Sequence, residues 1–362
     1  LNRTNYFETM PGHELELALR LEADRMASLL PAMTQEKLDN QRDVVKNERR
    51  WSVDNQPYGD WDETIQTLVY PAGHPYHHPP GGDSASTANL DSTLVRNFYE
   101  RVYRPERTTF IVVGDLAAAQ ARRAIQSRFG TWRAPGVAAP LPSLTAQTVA
   151  LPTTKVYLVD KPDAAQSVIQ IGWPGVDRRS PDYAALMVMN TMLGGSFTSR
   201  LNMNLRETHG YSYGARSGFT FRRVPGPFTA SAAVRTNVTD SSLVEFFKEL
   251  RRVRDERATN DDIERARAYV ELGLPGDLEG TTQVASEIAE LHGFGLTLAE
   301  LPRFAAQVRS VTPADVQRVA RKYLTPDQAT VVIVGDLSKV RTSVDALGLG
   351  PSEVLEVKTL VR

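Results

Sequence analysis

VRNFYERVYRPERTTFIVVGDL at residues 95–116 and VQRVARKYLTPDQATVVIVGDL at residues 316–337 are two copies of one pattern. Val95 matches Val316, Pro105 matches Pro326, Thr109 matches Thr330, and Val113-Gly114-Asp115-Leu116 matches Val334-Gly335-Asp336-Leu337, each pair 221 positions apart (116 and 337). Both copies read as an amphipathic helix, a proline-marked turn, an apolar strand and a Gly-Asp stop. A lone VxVGD is common in buried strands, whereas collinear agreement over 22 positions marks an internal repeat.

Working outward, residues 134–152 (APGVAAPLPSLTAQTVALP) are rich in Pro and Ala and carry no charge, the composition of an extended linker. Residues 155–160 (KVYLVD) and 167–173 (SVIQIGW) follow as strands. The division is therefore a first domain over 1–133, a linker over 134–152 and a second domain over 153–362. Moving the start of the second copy back by the same offset lands roughly 70 residues before Leu1. The first domain is thus expected to be N-terminally truncated, from a parent of about 430 residues. Within it, 12–30 and about 35–52 are expected helices, with Leu15, Ala18, Leu19, Met26, Leu29 and Leu30 on one face of the first. Thr- and aromatic-rich strands at Thr4–Thr9 and Phe219–Ala230 point to mostly antiparallel pairing and an α+β fold.

Composition excludes several function classes. Lys plus Arg total 42 against 43 for Asp plus Glu, without the basic excess of a nucleic-acid binder. Hydrophobic residues at 41% and charged residues at 23% suit a globular chain, and no apolar run is long enough to span a membrane. With no Cys, disulfides, thiol nucleophiles and Cys-type zinc sites are all excluded.

Residues 41–51 read QRDVVKNERRW. On a helical period Gln41, Val44, Val45 and Glu48 share one face, and Arg42, Lys46, Arg49 and Arg50 the other. Glu48 is then a carboxylate at the end of an apolar stripe, which needs a cation, a donor network or a metal. On its own that pattern reads as an ion-paired structural Glu. In the order NRTNYFETMP, LEADRM, QRDVVKNERR, DNQPYG, YPAGHPYHH and FIVVGDL, however, the chain closely resembles the M16 (insulinase/pitrilysin-like) zinc metallopeptidases over nearly its whole length. The resemblance implies two homologous M16/LuxS-type metallohydrolase-like α+β domains, helices packed on one face of each sheet, arranged as a clamshell. It also implies that Glu48 is the third ligand of one Zn2+, whose two His ligands and general-base Glu come from an inverted HxxEH motif.

Two departures matter. Family members often carry a Glu seven residues before the ligand, where this chain has Gln41, which can hydrogen-bond to a ligand but brings no charge. HxxEH itself is absent, and His13-Glu14-Leu15-Glu16-Leu17 fails as HExxH because Leu17 stands at the second His position. In the family the motif precedes the third ligand by about 75 residues, so it is expected upstream of Leu1, with no catalytic group inside the chain. Alone, one carboxylate makes no tight zinc site.

LRETHGYSY in the second copy resembles the family's arginine–tyrosine element, giving Arg206 and Tyr213 as substrate-binding residues. Such a pair can donate to a carbonyl that gains negative charge in a tetrahedral intermediate. His74, His77 and His78 read as a structural loop fixed by Pro75, Pro79 and Pro80. Gly194-Gly195-Ser196 lacks the P-loop Lys and the GxGxxG spacing of a nucleotide site. His209 reads as exposed, His292 as a helix-end residue beside Gly293, and Asn237-Val238-Thr239 as a weak glycosylation triplet.

The resemblance therefore implies a parent zinc metalloendopeptidase that hydrolyses peptides or unfolded polypeptides, bound as a strand added to a sheet edge. The fragment alone is expected to be inactive. The alternative is a non-catalytic M16-like partner or peptide-binding subunit, forming a homo- or heterodimer with another M16-like chain. The Arg-heavy, Cys-free composition together with the family's frequent secretion favours a bacterial periplasmic location.

Overall fold

The computed structural model describes residues 2–356 apart from 57, 60, 83 and 135. The first helices are α1 (Leu15–Ala32), α2 (Gln35–Arg49), α3 (Trp61–Val69), α4 (Ser84–Ala88), α5 (Ser92–Val102) and α6 (Ala118–Phe129). Strands β1 (Lys155–Asp160) and β2 (Gln166–Pro174) precede helices α7 (Tyr183–Asn190) and α8 (Arg200–Asn202). The hairpin β3 (Ser212–Phe219) and β4 (Pro227–Arg235) leads into α9 (Thr239–Asp255), α10 (Asn260–Gly273), α11 (Thr281–Gly293), α12 (Glu300–Ser310) and α13 (Pro313–Tyr323). Strand β5 (Thr330–Gly335), helix α14 (Leu337–Ala346) and strand β6 (Ser352–Leu355) complete the order.

The repeat read from the sequence is a repeat of elements. Helices α5 and α13, and the single 3-10 turns Pro105–Arg107 and Pro326–Gln328, coincide at both ends under the 221-residue offset. Helices α1 to α4 and α6 match α9 to α12 and α14 to within five residues at each end. Cap chemistry fixes several of these starts. Thr34 and Asp91 accept from the backbone N–H groups of Lys37 and Leu94, and Thr259/Asp262 and Thr312/Asp315 form reciprocal capping boxes.

The residues group into two compact units. The first contains the chain up to Trp51, Gly81–Ser143 and Pro275–Thr297; the second contains Ser52–Pro80, Leu144–Leu274 and the chain from Leu298. Segments 52–80 and 275–297 are equivalent under the repeat offset, so each unit includes a segment from the opposite half of the sequence.

Among its described residues the first unit holds no β-strand, and the strands expected at Thr4–Thr9 and in the first TFIVVGDL are irregular chain. The physical reason lies in the second copy. There β5 is laddered on both sides, antiparallel to β2 and parallel to β1, whereas among the described residues no strand is laddered to 109–114. An apolar run without neighbours has nowhere to send its backbone N–H and C=O groups. Among the described residues, the apolar side chains buried in this unit are those of Leu19, Leu38, Tyr99, Ala124 and Leu291.

The second unit is built on a six-stranded sheet in the order β3-β4-β2-β5-β1-β6, antiparallel from β3 to β5 and parallel from β5 to β6. Alternation along the strands sends Val156, Leu158, Ile169, Ile171, Val331 and Ile333 into the main core with Leu186, Met189, Phe246 and Val316 of the helical layer. Tyr157, Val159, Val332 and Val334 point the other way, onto Ile65, Val69 and Tyr70 at α3. The expected helical layer on one face is present, and α3 additionally covers the opposite face. The Tyr70 hydroxyl donates to Pro225 O (2.9 Å), and burial pushes its pKa up to about 12, which keeps the donor proton in place. The strand expected over Phe219–Ala230 is the hairpin turn with its two flanks. Pro225 has no N–H to give a ladder, so pairing stops at Phe219 and resumes at Pro227.

Candidate functional site

Arg206 lies in a π-helical turn, Met203–Thr208, that extends α8. Such turns widen a helix and recur at functional sites. Leu205 anchors this one in the core at 0% exposure. The exit is made by Gly210, whose φ of 61° only glycine adopts without strain, and Gly210 N and Tyr211 N return to Arg206 O (3.0 Å) and Leu205 O (2.8 Å). This reversal brings the start of β3 back beside the turn.

A register irregularity between Ser212 and Ala215 leaves Tyr213 and Gly214 outside the β3/β4 ladder. The Ser212 hydroxyl accepts from Gly214 N (3.1 Å) and lies 2.7 Å from Ala233 O, stitching the bulge to β4. Tyr213 is released to 87% exposure. The two residues singled out in the sequence meet: the Arg206 guanidinium carbon is 5.0 Å from the Tyr213 ring centroid. It is also 4.7 Å from the ring of Phe197, and Arg206 Nε is 3.2 Å from Glu207 Oε1. The sequence pattern had not marked Phe197, because a solvent-side aromatic in the loop before α8 belongs to no periodic face.

The outer edge of β3 is occupied along part of its length. Ala215 N donates to Asn202 Oδ1 (3.2 Å), and Asn202 Nδ2 donates to Phe197 O (2.7 Å). Asn190 Nδ2 donates to Ser217 O (3.0 Å), while the Ser217 hydroxyl donates to Asn190 Oδ1 (2.8 Å). Strand addition at Ala215 and Ser217 would have to displace these side chains. Gly194 and Gly195 belong to the π-helical segment Thr191–Gly195 seated on Ser217, not to an open phosphate-binding loop.

Glu48 and Gln41 lie on α2 of the first unit, and the face they share is turned to solvent, with Val44 39% and Val45 37% exposed. The inward stripe expected from periodicity is thus corrected. Helix α2 buries Leu38, and half-buried Arg42 and Arg49 donate to Leu90 O (2.9 Å) and Gly82 O (3.0 Å). Satisfying loop carbonyls decides which face packs, and a hydrophobicity count cannot see it. The repeat equivalent of Glu48, 221 residues on, is the exposed Tyr269, so the second copy has no carboxylate at that position.

Among the described residues no group of three or more His, Asp or Glu is placed to hold a metal ion, so these side chains by themselves do not fit zinc. His74 is buried, with Nδ1 accepting from Tyr76 N (3.0 Å) and Nε2, therefore the protonated nitrogen, donating to Thr145 O (3.1 Å). His77 Nδ1 lies 2.8 Å from Tyr70 O, which makes this loop a structural clasp. His209 is half-buried, stacked on Tyr211 at 4.8 Å between centroids. His292 Nε2 is 3.0 Å from the Thr109 hydroxyl. No helix of the described residues is long and apolar enough to cross a membrane.

Comparison with known proteins places this geometry in context. A family model described as the peptidase M16 inactive domain matches residues 89–270, half of the chain. An uncharacterized zinc protease of Streptomyces coelicolor is 24% identical over 94% of this chain and 73% of its own length. A zinc protease of Helicobacter pylori is 23% identical over 91% of this chain and 74% of its own length. A probable mitochondrial-processing peptidase subunit beta of Arabidopsis thaliana is 21% identical over 92% of this chain and 63% of its own length. Among solved structures, a Helicobacter pylori protease shares the fold at TM-score 0.82 and 22% identity, with 90% of this chain and 77% of that one aligned. A peptidase M16 inactive domain from Pseudomonas fluorescens aligns at TM-score 0.78 and 22% identity, covering 90% and 75%. The chain belongs to the peptidase M16 family.

Proposed function

We propose that this chain is the substrate-gripping portion of an M16-type zinc endopeptidase acting on peptides or unfolded polypeptides. The observation that carries the reading is Arg206 set 5.0 Å over the exposed Tyr213 ring at the bulged start of β3. A guanidinium and a phenol are strong donors with no need of a bound ion, and both can turn to one peptide carbonyl. Holding that carbonyl is what the chain's own residues contribute, and donors aimed at its oxygen grow more favourable as negative charge builds there. The names of the relatives, zinc proteases matched over more than nine-tenths of this chain, favour the same reading.

In this proposal Glu48 supplies one carboxylate to a zinc ion, with Gln41 behind it as a hydrogen-bonding neighbour. No pair of imidazoles is placed with Glu48 to complete a metal site among the described residues, so no hydrolytic step is derived from this chain. The organisation is proposed as two homologous halves, 1–133 and 153–362, joined by 134–152. A second reading, a non-catalytic peptide-binding partner of another M16-like chain, is favoured by the lack of a metal-holding group among the described residues.

The test is binding of fluorescein-labelled casein, an unfolded polypeptide, to the 362-residue chain. Arg206→Ala should weaken it by at least roughly tenfold, the scale of one charge-assisted hydrogen bond, and Tyr213→Phe by roughly three- to tenfold, the scale of a neutral one. Unchanged affinity in both variants would end the reading. Zinc stoichiometry after co-expression with an HxxEH-bearing M16 chain separates the two alternatives: zinc lost in Glu48→Gln supports the ligand, and zinc retained leaves the partner role.

A further inference from the structure

Arg206 is flanked by a second ring whose position is built with care, and nothing in the family resemblance assigns that ring a part. Phe197 is 59% exposed, an unfavourable place for a large apolar side chain unless something holds it there. What holds it is backbone. Its carbonyl accepts from Asn202 Nδ2 at 2.7 Å, and the other end of the same buried amide accepts from Ala215 N at 3.2 Å. Asn202 therefore ties the loop carrying Phe197 to the strand carrying Tyr213, and it stands at the end of α8, from which the chain runs directly into the turn carrying Arg206. Ser199, at the start of α8, accepts the chain again through Met203 N at 2.9 Å, so the loop-to-helix junction is closed by backbone hydrogen bonds as well.

We infer that Phe197 is a positioning residue for Arg206: its ring, fixed through Asn202, restrains the guanidinium beside Tyr213 in the orientation used to grip a polypeptide. The inference rests on the proposed role of Arg206 and Tyr213. An arginine has many rotamers, and each one frozen only on binding weakens the complex. A ring 4.7 Å from the guanidinium carbon narrows that choice before the ligand arrives, through cation–π attraction. The ring has no polar atom with which to bind a carbonyl, so its effect must pass through Arg206.

The experiment is the casein-binding measurement on the intact chain with Phe197→Ala, Phe197→Tyr, Arg206→Ala and the double variant Phe197→Ala/Arg206→Ala. Because Phe197 is exposed, the variants should unfold at the wild-type temperature, which circular dichroism checks. The expected results are roughly three- to fivefold weaker binding in Phe197→Ala, the equivalent of one exposed cation–π contact, and near-wild-type binding in Phe197→Tyr, which restores the ring. In the Arg206→Ala background, adding Phe197→Ala should change nothing further. A ring that merely supported the fold would lower the unfolding temperature and would weaken binding in both backgrounds. Wild-type affinity in Phe197→Ala with Arg206→Ala still impaired overturns the positioning role and leaves the gripping role standing. An equal loss from Phe197→Ala with and without Arg206 also overturns it. Unimpaired binding in both Arg206→Ala and Tyr213→Phe removes the gripping role, and the inference with it.

Discussion

Substituting Gly194 by Ala tests how the strand carrying Tyr213 is seated. A Cβ built on Gly194 would stand 2.4 Å from both the backbone N and the Oγ of Ser217, and 2.9 Å from its Cβ. Carbon and nitrogen atoms rest at about 3.5 Å, so the π-helical segment and β3 must part by roughly 1 Å. One of the obstructing atoms is backbone, which cannot swing away as a long side chain would. Overpacking of this kind costs about 1–3 kcal/mol. The separation also strains the paired hydrogen bonds between Asn190 and Ser217, each contributing about 1 kcal/mol. A loss near 3 kcal/mol in urea unfolding is therefore expected, together with faster amide exchange at Ala215 and Ser217. Gly210→Ala is the control. A Cβ there meets nothing within 4 Å, and only the left-handed backbone at φ 61° is penalised, at about 1 kcal/mol. If Gly194→Ala proves no more destabilising than Gly210→Ala, backbone contact with the π-helical segment does not seat β3 and the reasoning fails.

Other expectations concern the scaffold. Asp182 is buried and accepts from Arg318, Lys322 and the Tyr323 hydroxyl at 2.7–3.0 Å; burial alone would raise its pKa, but these partners outweigh it and hold the carboxyl below its ordinary value. Its contribution is present at neutral pH and lost as pH falls through the acid range, so Asp182→Asn should cost about 2 kcal/mol at pH 7 and flatten the acid limb of the stability curve; an unchanged acid limb counts against it. Glu8 behaves in the opposite sense, raised to about 7 by its hydrogen bond to Glu22, by burial and by the Glu22 charge. The folded chain holds that proton more tightly than the unfolded one, so stability should fall as pH rises from about 4.5 to about 7, and Glu8→Gln should remove that slope in thermal melts. His74→Phe keeps a ring against Tyr70, 4.7 Å away between centroids, but leaves Thr145 O and Tyr76 N without their partners; a loss of about 2 kcal/mol by denaturation is expected, and a neutral result would contradict the clasp.

What could be read in the sequence and what could not follows from how far each interaction reaches along the chain. The repeat was legible because a helix, a proline turn and an apolar run are local patterns, and α5 and α13 fall where the aligned letters put them. Whether the apolar run becomes a strand is not local. Thr330–Gly335 and Thr109–Gly114 have nearly the same letters, and only the first has β1 and β2 beside it. The same limit governs α2, where period alone assigned Val44, Val45 and Glu48 to the inside. Carbonyl groups at Leu90 and Gly82, more than thirty residues away, draw Arg42 and Arg49 inward instead. Arg206 and Tyr213 were singled out through the resemblance of LRETHGYSY to the family's arginine–tyrosine element, while the letters themselves show only the glycine at 210, whose φ of 61° turns the chain back. Phe197 and Asn202 were not, because an amide that joins a loop carbonyl to a strand N–H has no signature in composition or spacing. Phe197 O and Ala215 N are backbone groups that every residue possesses, so the Asn202 side chain that joins them cannot be told in the letters from any other asparagine.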